Sequence, residues 1–325
     1  MDSDIKVSIT MTVYNHEDYI EQAIESVLMQ KVNFKYELLI GEDCSTDNSL
    51  ELIRKYEDRE QIKIFAREKN MNNLVIRNGM DLKLRAMGEY IITLEGDDYW
   101  SDENKLQKQV DFLDLHSDYI ACAHRFCVVD RNGVPYKNVD FECQFIQDNP
   151  YDKGVFEKGY MLSHFNTLMY RNFFRDKSTD IRLFTNFKGM GGDYLLHAWL
   201  VLHGKMYCIP EVMSCYRKVT DITSSSFSAS MEKNNRRDIV YRCVKESELF
   251  LKENYDISFY ARKKSAYASA VFKWNRERTK KNFQVVTRII KMSGQPVRYT
   301  FWLVYLLMAR FILNHTGRKK ERVRF

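Results

Sequence analysis

The chain has 325 residues, of which 45% are hydrophobic and 14% aromatic, so it has enough apolar material for one large or two smaller buried cores, and disorder is not expected. Glycine and proline are sparse, with 13 and 4 residues, and no segment repeats, which excludes collagen-like, low-complexity and solenoid proteins. The seven cysteines contain no CxxC pair, which argues against a disulfide framework or a zinc site and favours a reducing compartment.

The net charge of +6 conceals an uneven distribution. Residues 231–325 hold 23 Lys and Arg against 8 Asp and Glu, a net charge of +15, and the remaining 230 residues carry a net charge of −9. The sequence therefore combines an acidic body with a basic C-terminal region. The N-terminal residues show neither a basic segment nor a long apolar run, so no secretory signal is expected and the protein is predicted to stay in the cytoplasm.

The first hundred residues alternate strand and helix patterns. Residues 7–15 predict a buried strand, and residues 16–30 space their apolar side chains on one helical face. A second strand at 36–43 precedes a helix that Ser45 or Asp47 could cap, and a third strand lies at 62–65. A helix at about 73–87 then leads into a fourth strand at 89–98. This order predicts an α/β fold with an open, mainly parallel sheet flanked by helices.

The second half of the chain has a less regular pattern. Residues 137–190 mix aromatic, glycine and polar residues, and we interpret them as a part that completes a cleft. A helix is predicted at 193–204, beginning with Asp193, and a strand-like segment follows it. Beyond residue 230 the chain is predicted to be helical and basic, with a break at 293–296.

The fourth predicted strand ends in three carboxylates within four residues, namely Glu95, Asp97 and Asp98, and the second predicted strand ends in Asp43. Ligands of open α/β sheets bind at the carboxyl ends of the strands. Hard cations such as Mg²⁺ or Mn²⁺ prefer oxygen ligands, so the cluster could hold a cation bound to a pyrophosphate. The alternative is a solvated acidic turn that caps the following helix, which is the commoner role of an isolated acidic triplet.

Four segments in order favour the cation site over the acidic turn. They are SITMTVYNHEDYIEQAIESVLMQ, ELLIGEDCSTDNS, RNGMDLKLRAMGEYIITLEGDDYW and GGDYLLHAWL. Together they resemble the sequence blocks of the family 2 glycosyltransferases with the GT-A fold, over roughly residues 5–225. The resemblance implies a GT-A catalytic domain at 1–228, with a nucleotide-binding part at about 1–130 and an acceptor-side part at about 131–228. A helical, basic C-terminal region would occupy 229–325.

The resemblance also implies where a nucleotide-sugar donor binds. In that family the turn after the first strand borders the nucleotide, and this turn maps to Thr12, Val13, Tyr14 and Asn15. The carboxylate after the second strand contacts the base or the ribose, which maps to Asp43.

The catalytic residues are carried over in the same way. Of the paired aspartates in the family's DXD-type motif, the first faces the ribose and the second binds the divalent metal, which gives Asp97 and Asp98 here. Asp193 matches the family's general base, which takes the proton of the acceptor hydroxyl. The alternative for Asp193 is a helix N-cap. Arg77 matches an arginine that could reach the diphosphate, and the alternative for it is a surface arginine.

Two departures from the family pattern concern the site itself. Cys44 stands where the family has a glycine in the turn after the second strand, so the turn lacks glycine's conformational freedom. Val219 stands where the family often carries a histidine available to the metal, which leaves a third protein ligand open. Arg217, Lys218 or a serine from 224 to 226 could contact the diphosphate instead.

The C-terminal region ends in an apolar segment at 297–313 followed by a basic cluster. The segment contains Arg310 and is too short for a spanning helix, and the combination is typical of a helix on an anionic membrane surface. The alternative is an ordinary packing helix. Nucleic acid is not expected as a partner, because no RNA-binding or DNA-binding motif accompanies the basic residues.

The resemblance predicts an inverting, metal-dependent glycosyltransferase, with a nucleotide-diphosphate sugar as donor, most simply a UDP-sugar. The acceptor would be a saccharide or a lipid-linked oligosaccharide in surface polysaccharide assembly, at the cytoplasmic face of the membrane. One alternative is a polyprenyl-phosphate glycosyltransferase. Another, from a different class, is a non-catalytic nucleotide-sugar or membrane-binding module.

Overall fold

The structure is a computed structural model that describes residues 4–70, 75–136, 150–159, 162–176, 178–179, 184, 192–219, 237–258 and 260–315. For residues 75–77, 192–194, 254, 260–262 and 309–315 it describes the backbone only. The chain divides into two compact units. The first comprises Met1–Phe156, Tyr160–Lys188 and Gly192–Lys218, and the second comprises Glu157–Gly159, Gly189–Gly191 and Val219–Phe325.

The first unit contains a mixed sheet of eight strands and six helices in its described part. The strands are β1 (Ile5–Val13), β2 (Lys35–Glu42), β3 (Ile62–Ala66), β4 (Tyr90–Glu95), β5 (Tyr99–Trp100), β6 (Tyr119–Val129), β7 (Met169–Arg171) and β8 (Lys205–Arg217). The α-helices are α1 (Ile20–Leu28), α2 (Ser49–Arg54), α3 (Val75–Arg85), α4 (Lys105–Leu115), α5 (Lys153–Glu157) and α6 (Gly192–His203). Short 3₁₀ helices cover Phe165–Thr167 and Phe173–Arg175.

The strand order in the sheet is β3-β2-β1-β4-β7-β6-β8-β5. The pairs of β1 with β2, β1 with β4, β2 with β3, and β6 with β8 are parallel, as the alternating sequence pattern predicts for the first four strands. Strand β7 is antiparallel to both of its neighbours, and β5 is antiparallel to β8. The α/β class and the mainly parallel sheet are thus confirmed, and the antiparallel β7 was not predicted.

The core of the first unit explains why these segments form strands. Apolar side chains on β1, β2 and β4 are buried, as expected for parallel strands covered on both faces by helices. They include Val7, Ile9, Met11, Leu38, Ile40, Ile92 and Leu94. On α1, Ile20, Ala23, Ile24 and Val27 are all fully buried against this core, which confirms the helical periodicity.

The second unit is helical in its described part. Its helices are α7 (Arg237–Tyr255), α8 (Tyr260–Glu277), α9 (Lys280–Met292) and α10 (Pro296–His315). A separate core of buried residues, including Tyr241, Tyr267, Val285 and Tyr299, joins them. Helix α10 begins at Pro296, the favoured first position for proline because no backbone N–H is needed there. In the part of the chain that the structure describes, no helix combines the length and the apolar character that a membrane span requires.

Candidate active site

The carboxyl ends of three neighbouring strands are joined by hydrogen bonds. The backbone N–H of Asp43, after β2, donates to the carbonyl of Val13 at 2.9 Å, and the N–H of Gly96, after β4, donates to the carbonyl of Thr12 at 3.1 Å. In the sheet register Thr12 lies opposite Glu95. The predicted nucleotide residues Thr12, Val13 and Asp43 therefore lie on one edge with the acidic turn after β4, where ligands of such sheets bind.

The turn after β1 is held in shape by the turn after β2. Asn15 has a φ of 57°, and its Oδ1 accepts a hydrogen bond from the Thr46 N–H at 2.8 Å. Its own N–H donates to Ser45 Oγ at 3.0 Å. Tyr14, the residue before it, is 37% exposed. The side chain of Asn15 is thus engaged in the turn, and Tyr14 is the more accessible of the two.

Cys44 takes the left-handed backbone conformation that the sequence comparison assigned to glycine, with a φ of 59°. Such a conformation costs a non-glycine residue roughly 1 kcal/mol or more. The buried carboxylate of Glu42 stabilises it locally, since Oε2 accepts from the Cys44 N–H at 3.2 Å and Oε1 from the Ser45 N–H at 2.6 Å. Glu42, which stands where the family pattern has an aspartate, therefore stabilises the turn in which Cys44 replaces the glycine.

The acidic turn itself approaches β1 closely. The Asp98 N–H donates to the Glu95 carbonyl at 3.0 Å, which closes the turn. A Cβ placed on Gly96 would lie 2.8 Å from His16 Nδ1 and 3.0 Å from Val13 Cγ2. Only glycine fits there without a shift of these neighbours, so Gly96 lets the backbone of the acidic turn lie against the end of β1.

The Asp98 side chain is completely buried. Its Oδ1 accepts from the Arg217 N–H at 2.8 Å, and its Oδ2 accepts from Asn166 Nδ2 at 2.8 Å. Burial raises the pKa of Asp98 well above its usual value, and the nearby Asp97 and Glu95 carboxylates raise it further. A buried carboxylate beside two others is a favourable position for a divalent cation.

Two residues of this site were missed by the sequence analysis, His164 and Asn166. Both lie at the 3₁₀ helix that precedes β7. Asn166 is fully buried, and its Oδ1 accepts from Ser214 Oγ at 3.2 Å while its amide binds Asp98. No sequence motif marks them, because they reach the site only through the antiparallel pairing of β7 with β4.

The His164 ring lies beside the buried carboxylate, with Nδ1 3.8 Å from Asp98 Oδ2. The ring packs against Tyr216 at 4.3 Å between centroids and against Phe126 at 5.6 Å. Burial lowers the pKa of His164 to about 4, so the ring is neutral at neutral pH. One ligand atom each from Glu95, Asp98 and His164 all lie within 4.8 Å of one another. Two carboxylate oxygens suit Mn²⁺ or Mg²⁺, and an additional neutral imidazole nitrogen favours the transition metal Mn²⁺.

Arg217 holds the acidic turn in place. Its guanidinium donates to the carbonyls of Asp97, Asp130 and Arg131 at 2.9, 3.1 and 2.9 Å, and to Gln22 Oε1 at 2.6 Å. The guanidinium carbon also lies 4.5 Å from the Tyr19 ring centroid. The Arg217 donors therefore point at protein acceptors, and contact of this residue with a diphosphate remains a prediction.

Three further sequence predictions bear on this site. Asp193 lies in the first turn of α6 and Arg77 in α3, but both side chains are outside the described part of the structure. Beside Arg77, Asn78 Nδ2 donates to the Gly41 carbonyl at 2.8 Å, which ties α3 to β2. Val219 is buried, with 6% of its surface exposed, and its apolar side chain offers no atom that could bind a metal.

Two solved structures resemble this chain in fold. Staphylococcus aureus TarS 1-349 matches with a TM-score of 0.52 and 16% identity, covering 90% of this chain and 92% of that chain. The mannosyltransferase PcManGT from Pyrobaculum calidifontis, in complex with GDP-Man and Mn²⁺, matches with a TM-score of 0.50 and 13% identity, covering 97% and 88%. Both likenesses confirm the GT-A fold.

Sequence relatives and a family model identify the family of this chain. The putative teichuronic acid biosynthesis glycosyltransferase TuaG of Bacillus subtilis is 38% identical over 133 residues, which is 40% of this chain and 50% of that protein. The chain spans 58% of the length of the mycobacterial relatives that it matches over 219 residues. The family model for glycosyl transferase family 2 matches residues 8–180, which is more than half of the chain and includes Glu95, Asp97, Asp98 and His164. The chain belongs to glycosyl transferase family 2.

Proposed function

We propose that the protein is an inverting glycosyltransferase that moves a sugar from a nucleotide-diphosphate donor, a UDP-sugar, to a hydroxyl group of a saccharide acceptor. The observation that carries the proposal is the buried Asp98 carboxylate at the carboxyl end of β4, beside Asp97 and Glu95, in a chain of this family. A solvated acidic turn would leave Asp98 exposed, whereas here its side chain has no accessible surface.

The donor binds along the edge formed by the ends of β1, β2 and β4. Thr12, Val13, Tyr14 and Asn15 border the nucleotide, and Asp43 contacts the base or the ribose. The hydrogen bonds that join these strand ends support this assignment because they hold the edge in one shape before the donor arrives. Preorganisation of this kind lowers the ordering cost of binding.

Asp98 binds a divalent cation, Mn²⁺ or Mg²⁺, together with the donor diphosphate, and Asp97 faces the ribose. When bound, the cation neutralises the charge that develops on the departing diphosphate. The carboxylate geometry at Asp98 supports this role, and so does the Mn²⁺ that accompanies GDP-Man in the PcManGT complex. Arg77 is assigned to the diphosphate as a further donor of hydrogen bonds.

Asp193 acts as the general base. Its backbone lies in the first turn of α6, after the glycines of the GMGG segment. A sugar hydroxyl is a weak nucleophile, so a carboxylate that accepts its proton as the new bond forms lowers the barrier. The oxygen attacks the anomeric carbon opposite the leaving diphosphate, which inverts the configuration at that carbon. One catalytic carboxylate is sufficient for this single displacement.

Replacing Asp193 by Asn is expected to lower kcat by about 10²- to 10⁴-fold, because the amide cannot accept the proton. Donor binding should be unchanged, since Asp193 is placed on the acceptor side. The measurement is release of the nucleoside diphosphate together with the thermal shift caused by the donor. Asp118→Asn, on an exposed ion pair with Lys205, serves as control. A variant that retains full kcat would exclude Asp193 as the base.

The acceptor is a saccharide or a lipid-linked oligosaccharide in surface polysaccharide assembly. Two relatives support this assignment by name. TuaG is named for teichuronic acid biosynthesis. TarS of Staphylococcus aureus, which is 30% identical to this chain over 133 residues, is named poly(ribitol-phosphate) beta-N-acetylglucosaminyltransferase.

Helix α10 places the enzyme at an anionic membrane surface. Val297, Phe301, Val304 and Met308 are 46% to 72% exposed, and their spacing puts them on one face of the helix. The C-terminal part of the chain also carries a large excess of positive charge, with a net charge of +15 over residues 231–325. An apolar helical face in a basic region complements a bilayer that contains anionic lipid.

The double substitution Phe301→Glu and Met308→Glu is expected to weaken binding to anionic vesicles at least about tenfold, because it places two charges on the apolar face. Sedimentation with phosphatidylglycerol-containing vesicles measures the binding, and neutral vesicles are the reference. Leu115→Glu, which changes an exposed apolar residue of α4, is the matched control. Equal binding by all three proteins would exclude α10 as the membrane element.

A further inference from the structure

His164 is a candidate for the third protein ligand of the metal, which the family resemblance left open. The family often supplies a metal-binding histidine near the end of β8, and this chain has Val219 there. His164 comes instead from the segment before β7, and its Nδ1 lies 3.8 Å from Asp98 Oδ2. The pairing of β7 with β4 brings it to the acidic turn.

The surroundings of the buried Asp98 carboxylate favour a bound cation. The hydrogen bonds to its two oxygens come from the backbone N–H of Arg217 and the amide of Asn166, and both donors are neutral. A carboxylate oxygen has two acceptor positions, so each oxygen retains one after these bonds. Neutral donors offset only part of the cost of burying a carboxylate. A bound divalent cation would offset the remainder.

The spacing of the three side chains fits one ion. Their ligand atoms lie within 4.8 Å of one another. An octahedral ion with bonds of about 2.1 Å separates opposite ligand atoms by about 4.2 Å and neighbouring ones by about 3.0 Å, so side-chain rotations must bring neighbouring ligand atoms closer by up to about 1.8 Å. The packing of the ring between Phe126 and Tyr216 limits its orientations and holds Nδ1 near Asp98.

We propose that His164 is a protein ligand of the divalent cation, through Nδ1, and that Glu95 and Asp98 complete the protein part of the site. Nδ1 accepts a long hydrogen bond from the Asn166 N–H, at 3.4 Å, and binding of the cation would replace it. The remaining positions are then available to water and to the diphosphate oxygens. The presence of the cation rests on the proposed function. The predicted protein ligands, which had included Asp98 alone, become Glu95, Asp98 and His164, from the end of β4, the turn after it and the segment before β7.

The test is Mn²⁺ binding to the intact chain in the presence of UDP, measured by calorimetry, with pulsed electron paramagnetic resonance of the same complex. The wild type should show nitrogen modulation from a coordinated imidazole, and labelling with ¹⁵N-histidine should change it. In His164→Gln the modulation should disappear and the Mn²⁺ dissociation constant should rise by about tenfold or more. His116→Gln, on an exposed ring at the end of α4, is the matched control.

His164→Ala provides a second variant, and circular dichroism verifies that each variant is folded. Unchanged Mn²⁺ affinity and an unchanged nitrogen signal in folded His164→Gln would overturn the ligand assignment. So would a wild-type complex without nitrogen modulation. Donor turnover is assayed separately in the same preparations. If the wild type turns over donor but lacks the nitrogen signal, the proposed function holds and His164 is not a metal ligand. If the wild type is inactive but its Mn²⁺ binding is lost in the His164 variants, His164 is a metal ligand and the proposed function is contradicted.

Discussion

Asp98→Asn is expected to reduce kcat/KM for sugar transfer by about 10³-fold or more, since it removes a charged ligand of the cation that stabilises the leaving diphosphate. The fold should tolerate the change. Asn has the same shape as Asp and removes a buried carboxylate, whose pKa is raised by burial and by the neighbouring Asp97 and Glu95 carboxylates. This gain offsets the cost of turning the Asn NH₂ group toward one of the two N–H donors, from Arg217 and Asn166. Loss of activity without loss of stability is therefore the expected signature of a functional carboxylate.

The measurement compares initial rates of transfer and melting temperatures for the wild type and the variant. Glu103→Gln removes a carboxylate that lies in an exposed ion pair with Lys31, and it should change neither rate nor stability. An Asp98→Asn protein that melts far below the wild type, with activity lost in proportion to the unfolded fraction, would assign Asp98 a structural role only.

Arg217→Ala is expected to lower the free energy of unfolding of the first unit by about 3 to 5 kcal/mol, because four acceptors lose a charged donor inside the protein. The guanidinium joins the acidic turn, the loop at Asp130 and Arg131, and Gln22 of α1. Denaturant titration followed by tryptophan fluorescence measures the loss. Donor affinity should fall as well, since Arg217 holds the turn that carries Asp97.

Arg217→Lys tests the geometric part of this prediction. Lysine keeps the charge but lacks the planar fork that reaches separate acceptors, so it should restore less than half of the lost stability. Arg59→Ala, at an exposed position after α2, should stay within about 0.5 kcal/mol of the wild type. Full stability in Arg217→Lys would show that a positive charge alone is sufficient at this position.

The sequence predicted the part of the fold that is local. Alternating strand and helix patterns indicated β1 to β4 with α1 to α4, because buried parallel strands and amphipathic helices leave distinct periodicities. The prediction that Ser45 or Asp47 caps the second helix was wrong by at least one residue, since Asn48 is the residue before α2, although Asp47 Oδ1 accepts from the Ser49 N–H at 3.0 Å. The break at 293–296 separates α9 from α10, since proline and glycine signals act over a few residues.

The contacts that complete the candidate site are non-local, and the sequence did not reveal them. His164 and Asn166 reach Asp98 over 66 and 68 positions along the chain, through the antiparallel insertion of β7 between β4 and β6. A three-residue strand has no detectable periodicity. The role of Arg217 was equally hidden, because three of its four acceptors are backbone carbonyls, which any sequence provides.

The most direct measurement is the thermal shift of the wild-type protein with a panel of UDP-, GDP- and TDP-sugars, each with and without Mn²⁺. A ligand that binds only the folded state raises the melting temperature. We expect one UDP-sugar to give a shift that requires Mn²⁺ and is absent in Asp98→Asn. A panel in which no nucleotide sugar shifts the wild type, or in which the shift is the same without metal and in Asp98→Asn, would contradict the proposed cation and donor site.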